Sequence, residues 1–256
     1  PELADAGGTV QSLFFLGAAF LIIMIPTTFM GATLPLLTRH AVRQDSQIGT
    51  RVGLLYTMNT AGAVAGTLVA AFVLLPAVGL AMTVYTGVAI NALVFLIAAG
   101  IAKNSTAVEA LPSRADAELA AETETEDEGP WRGSWILPLI LISGITSFTY
   151  EVLWTRLLSQ ILGGSITAFA TMLASFLIGI TLGSAVASVF ARSRKGSALG
   201  FVLSQIGIAV LSMYVWSQLD GLPARFLELK ETSDGSGLTA KASVAIFVLL
   251  PAALCI

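Results

Sequence analysis

A chain of 256 residues that is 55% apolar and 11% charged falls far below the roughly one-quarter charged content of a soluble domain, so most of it belongs in a lipid bilayer. A formal net charge of -3, with Lys and Arg gathered in short loops, excludes a basic surface for nucleic acid. A single cysteine, Cys255, and a single histidine, His40, exclude an internal disulfide framework and a thiolate metal site, and no cofactor is expected in this segment.

The amino end, PELADAGGTV, carries no basic leader pattern, and the carboxyl end, VAIFVLLPAALCI, stops inside an apolar run. The chain is therefore expected to be a piece of a longer polypeptide. The first uncharged segment, residues 13-37, holds Pro26 and Pro35. Proline removes a backbone donor and crowds the preceding turn, which predicts a bend at Pro26, with Thr27 or Thr28 available to the freed carbonyl. A basic loop follows at 38-51, with Arg39, Arg43 and Arg51, and His40 beside Arg39 reads as an interfacial side chain.

Residues 52-102 contain no charge and are too many for one crossing, because about 20 helical residues span the hydrocarbon core. Pro76, Ala77, Val78 and Gly79 mark the turn between helices at about 52-75 and 80-102. The first carries a small-residue ridge, Gly62, Gly66 and Ala70, and one amide, Asn59; the second carries Asn91. Small residues at this spacing let membrane helices approach closely.

Residues 103-134 change character, with eight acids against three bases and a repetitive Ala, Glu and Thr content. Such a segment buries too little apolar surface to offset ordering and reads as a flexible linker. A helix at about 135-157 follows, carrying Tyr150, Glu151 and Arg156. The Gly163-Gly164 pair then precedes an uncharged run, 165-190, long enough to span a bilayer. Thr171, Ser175, Gly179, Gly183 and Ala187 recur there every fourth residue and line one face for packing. A basic turn at 191-196 leads to a helix at about 197-218 containing Gln205. A polar loop from Asp220 to Lys241 then precedes a last segment, 242-256, with Pro251.

Nine of the 13 Lys and Arg residues fall in the loops 38-51, 103-134 and 191-196, which share one side if seven crossings alternate. The positive-inside rule makes that side cytoplasmic, and the expected location is a bacterial inner membrane. The runs LIIMIPTTFMG and FVLLPAALCI place Pro26 and Pro251 alike within segments of the same direction, suggesting two similar halves: 1-102 and 135-256, joined by the acidic linker.

Glu151 is the leading candidate for function, since an ionisable side chain within a membrane segment is costly and marks a pathway or a pair. Counted from Trp135 it lies about 24 Å along its helix, toward the outer boundary. Its separation of five from Arg156 is not the favoured i, i+4 relation. Asn59, Asn91, Gln205 and Tyr150 complete the candidate substrate pathway, although interhelical hydrogen bonding is the first explanation for the three amides. Tyr150, Trp154, Trp131 and Trp135 fall near predicted helix ends and read as interfacial anchors.

Together these features resemble the major facilitator architecture of two six-helix halves with a long cytoplasmic connection. The turn GSAVASVFARSRKGS sits where that superfamily carries a glycine and basic loop, without the usual acidic residue. The strings SGITSFTYEVLWTRLLSQILGGSITAFATMLASFLIGITLGS, LLYTMNTAGAVAGTLVAAFVLLPAVGL and MGATLPLLTRH more specifically resemble the membrane portion of spermidine-synthase-like proteins. In those proteins a membrane domain precedes an aminopropyltransferase-like domain. The resemblance implies an all-α integral membrane fold, a fragment of a two-half bundle with about seven transmembrane helices, and a possible C-terminal soluble partner domain. The glycine-rich turn after a strand and the clustered acids that aminopropyl transfer needs are lacking, so no catalytic residue is expected in this segment. The implied role is scaffold, channel or transporter for a small, cationic, polyamine-like substrate. A free-standing major-facilitator-type transporter and a structural subunit of a membrane complex are the alternatives.

Overall fold

The computed structural model describes residues 8-41, 48-104, 136-191, 193-232 and 237-256. Among the described residues every regular element is a helix. They are α1 (Gly8–Ala41), α2 (Ile48–Val69), α3 (Leu75–Asn104), α4 (Ile136–Leu162), α5 (Ile166–Phe190), α6 (Arg194–Ser217), α7 (Leu222–Thr232) and α8 (Leu238–Leu254). A π-helical turn at Ala70–Leu74 joins α2 to α3, and a 3-10 turn at Leu219–Gly221 leads into α7. Five helices are long and apolar enough to cross a membrane: Val10–Thr38, Gly49–Lys103, Ile136–Leu162, Ile166–Phe190 and Lys195–Ser217. The acidic segment expected to be a linker lies almost wholly outside the described residues, as do residues 42-47 of the basic loop.

Pro26 and Pro35 are both carried inside α1. The hydroxyls beside Pro26 do bond backbone carbonyls, Thr27 Oγ1 donating to Ile23 O at 2.9 Å and Thr28 Oγ1 to Met24 O at 2.7 Å. They serve the two carbonyls that follow that of Ile22, the one the proline leaves free. The side chains of α1 that are described lie almost entirely exposed, Ile22 and Phe29 at 73%. An apolar helix this bare has only lipid or another helix as a favourable environment.

The break foreseen at Pro76 to Gly79 is present. Gly79 adopts φ 75°, ψ 178° inside α3, a conformation that only glycine takes without strain. Just before it, Pro76 has no amide hydrogen, and in a regular α-helix its ring would press on the carbonyl of Phe72, four residues back. The π-helical turn over Ala70–Leu74 widens the helix at that point and relieves the crowding.

The described residues form two compact units, each built from parts of several helices. One holds the described residues that fall within Pro1–Ala63, Leu177–Leu211 and Pro251–Ile256. Within it α2 packs on the second half of α5 through small residues. A Cβ on Gly53 would come 2.7 Å from Ser188 Cβ, one on Gly49 would meet the Ala191 carbonyl, and Thr57 Oγ1 and Ser184 Oγ share a hydrogen bond of 2.9 Å. Gly49, Gly53 and Thr57 are four residues apart, as the geometry of one helix face requires. Gly183 of α5 lies against the backbone of Leu254, and Gly207 of α6 against Cys255 Sγ.

The other unit holds the described residues that fall within Val64–Phe176 and Ser212–Leu250. Its core takes Trp154, Leu158 and Leu162 from α4, again at spacing four, and adds Ala168 and Met172 from α5 and Val215 from α6. Leu222 and Phe226 of α7 and Ala240, Val244, Ala245, Val248 and Leu249 of α8 close it. The stretch 220-241, expected to be a loop, therefore contains a helix: Leu222 and Phe226 fall on one face and bury, while the charged residues of α7 stay exposed. Trp154, expected as an interfacial anchor, is instead 3% exposed within this core. Its neighbours at i+4 and i+8 face the same way, and that stripe seals against α5 to α8.

Candidate functional site

The helix that carries Glu151 runs further than expected, to Leu162 rather than about Leu157. It ends at Gly163, whose φ of 85° turns the chain, and Gly164 passes it to Ser165. Ser165 caps α5 by accepting a hydrogen bond from the Ala168 amide at 3.1 Å. By helix geometry Glu151 sits about 16 Å from the end of α4 and about 22 Å from Ile136, nearer the middle of the helix than the count from Trp135 implied.

Between the second half of α4 and the first half of α5 lies an open groove of about 700 Å³. Glu151, Thr155, Arg156 and Ser159 reach it from α4, and Ser165 from the turn; Phe169, Met172 and Phe176 form an apolar wall from α5. Glu151 is half-buried and Arg156 exposed. Among the described residues neither side chain has a hydrogen-bond or ion-pair partner, as their five-residue separation predicts. At the turn end a further cation approaches, Lys241 Nζ donating to Ser165 Oγ at 3.5 Å.

No protein-family model, curated protein or solved structure matches this chain. The site must therefore be read from its own residues.

Of the candidate pathway residues, Glu151 alone lines the groove. Tyr150, its neighbour in sequence, is half-buried and packs against the core. Asn91 is exposed on α3. Asn59, exposed, and Gln205, half-buried and engaged in an interaction of its own, belong to the other unit. Thr155, Arg156, Ser159 and Ser165, the remaining polar side chains of the groove, are not among the expected pathway residues. The signal was the Gly163-Gly164 turn, which brings the ends of two long helices side by side.

Among the small residues, Thr171, Ser175 and Gly179 are buried on α5, Gly183 is half-buried against Leu254, and Ala187 is exposed. Gly62 and Gly66 face open space and Ala70 is half-buried. Pro251 sits inside α8. Among the described residues no cluster of three or more His, Cys, Asp or Glu side chains stands close enough to hold a metal ion. Cys255 is half-buried just beyond α8.

The chemistry this groove can perform is binding. A carboxylate held part-way along an apolar helix, with no counter-charge among the described residues, gains most from an incoming cation that also brings hydrogen-bond donors. The groove's volume lies within the roughly 300 to 1,000 Å³ of small-molecule sites.

Proposed function

We propose that this chain is the non-catalytic membrane portion of a spermidine-synthase-like fusion protein, and that it carries a small amine-bearing, polyamine-like molecule past Glu151. The observation that supports the reading is the groove itself: a carboxylate midway along α4, without a partner among the described residues, facing a small-molecule-sized space. In this reading the partner is an aminopropyltransferase-like domain, which would make or use the amine that the membrane portion handles.

The same reading takes the membrane portion as seven crossings in two major-facilitator-like halves. The run Gly49–Lys103, 55 residues long, would extend about 82 Å if straight, far beyond a hydrocarbon core of about 30 Å. In this reading the non-helical Gly79 separates two crossings within it. The apolar α8, 17 residues and about 25 Å long, supplies the seventh. The loops 38-51, 103-134 and 191-196, which carry most of the cations, face the cytoplasm of a bacterial inner membrane.

The deciding experiment is uptake of radiolabelled putrescine and spermidine into proteoliposomes holding the full-length protein, compared with Glu151→Gln. Loss of one charge-assisted contact lowers the uptake of both amines about tenfold at subsaturating concentration. Equal uptake by the two proteins would remove Glu151 from the path and the proposal with it.

A further inference from the structure

The groove that holds Glu151 is not uniformly acidic. Arg156 lines it too, five residues further along α4, so that the two Cα atoms stand about 8.7 Å apart by helix geometry. Beyond Arg156 the helix reaches the Gly163-Gly164 turn and Ser165, where the Lys241 ammonium arrives from α8. Charge is thus sorted along the groove, the carboxylate toward the middle of α4 and two cations toward the turn. Neither Glu151 nor Arg156 is paired with the other or with any described residue. Both remain available to a ligand.

We propose that the molecule seated here is a small zwitterion, an amine joined by a short apolar linker to a carboxylate. Its ammonium meets Glu151, and its carboxylate lies at Arg156 with Lys241 and the Ser165 hydroxyl at the same end. This rests on the reading of the groove as an amine site and narrows it, keeping the ammonium at Glu151 but replacing the polyamine-like molecule by one that carries a single ammonium and a carboxylate. A diamine would satisfy Glu151 with one ammonium, but its second would be directed toward Arg156 and Lys241, a like-charge placement that selects against it. A carboxylate at that end instead accepts the guanidinium's paired N–H groups. The linker's methylenes lie along Phe169, Met172 and Phe176, which offer an apolar wall and no competing polar group.

The test is isothermal titration of the full-length protein in phosphatidylcholine nanodiscs with three ligands of one carbon length: γ-aminobutyrate, putrescine and butyrate. The wild type binds γ-aminobutyrate about tenfold or more tighter than either of the others, the worth of one charge-assisted contact. Arg156→Gln abolishes that preference without weakening putrescine, and Arg156→Lys restores part of it. Glu151→Gln weakens both amines and leaves butyrate unchanged.

If putrescine binds the wild type as tightly as γ-aminobutyrate and Arg156→Gln changes neither, the zwitterion proposal fails while the amine site stands. If Glu151→Gln changes neither amine, or if none of the three ligands binds, both fail. Phosphatidylethanolamine bears the same two charges. If γ-aminobutyrate binds no tighter than butyrate and that lipid, added to the nanodiscs, protects the groove from labelling at a Ser159→Cys probe in a Cys255→Ser background, the occupant is a headgroup and the proposal is overturned.

Discussion

Gly183 meets the backbone of Leu254 so closely that any added side chain must displace it. A Cβ built there lies 2.9 Å from the Leu254 carbonyl carbon and 3.3 Å from its Cα, and closer still to the carbonyl oxygen. Every one of these atoms is backbone, so no rotamer change relieves the clash and α5 must move relative to the end of α8. Overpacking of this kind costs about 1 to 3 kcal/mol, and a contact between two backbones belongs at the upper end, about 3 kcal/mol. Replacing glycine by alanine inside a helix returns about 1 kcal/mol of backbone entropy. Gly183→Ala is therefore expected to destabilise the protein by about 2 kcal/mol.

The control is Gly62→Ala on α2, where nothing stands within 4 Å of the new Cβ. Only the entropy gain applies there, and stability should rise by up to about 1 kcal/mol. The two variants thus differ by about 3 kcal/mol, more than a hundredfold in the unfolding constant. Reversible unfolding in mixed micelles by increasing sodium dodecyl sulfate, followed by the fluorescence of the four tryptophans, resolves a difference of that size. Two results refute the reasoning: Gly183→Ala as stable as the wild type, or Gly62→Ala as costly as Gly183→Ala.

The hydroxyls of Thr57 and Ser184 each also donate to a carbonyl of their own helix, at 2.8 Å to Gly53 O and 3.0 Å to Thr181 O, so the bond between them draws on a proton already shared. A double-mutant cycle of Thr57→Val and Ser184→Ala should give a coupling of about 0.6 kcal/mol; zero coupling would mean that no proton crosses between the helices. Trp154 buries its indole with Nε1 lacking any partner among the described residues. Trp154→Phe removes an unpaired donor as well as ring volume and should cost less than about 1.5 kcal/mol, whereas Trp154→Ala should cost about 3 to 5 kcal/mol in the same unfolding assay. Equal losses for Phe and Ala would show that the N–H is satisfied after all.

Charge and apolar length, the two properties read most directly from composition, governed what was legible in this chain. The five helices long and apolar enough to cross a membrane fall on the apolar runs, as expected where a bilayer leaves the backbone no alternative to internal hydrogen bonding, whereas the charged α7 was not foreseen. The division at Pro76 to Gly79 was readable because proline and glycine alter the backbone whatever surrounds them. The choice of packed face was not, because lipid and protein interior are equally apolar and periodicity alone does not separate them. The row Gly62, Gly66, Ala70, which runs from α2 into the π-helical turn, and the row Gly49, Gly53, Thr57 on α2 have the same spacing. The second, one residue out of phase with the first, meets Ala191, Ser188 and Ser184. The identities of those partners lie more than a hundred residues away in sequence.

The groove was half legible for the same reason. Glu151 drew attention because a carboxylate in an apolar helix is expensive wherever the helix goes. Arg156 was weighed only as a partner for Glu151, and at a separation of five it makes a poor one. Its place became readable only when the glycine turn brought α5 alongside and gave both side chains a common space to face. A charge pair that cannot close on itself, held open across a cavity lined with phenylalanine, is better suited to receiving a ligand than to stabilising a helix. That reasoning carries the functional reading from one residue to a site.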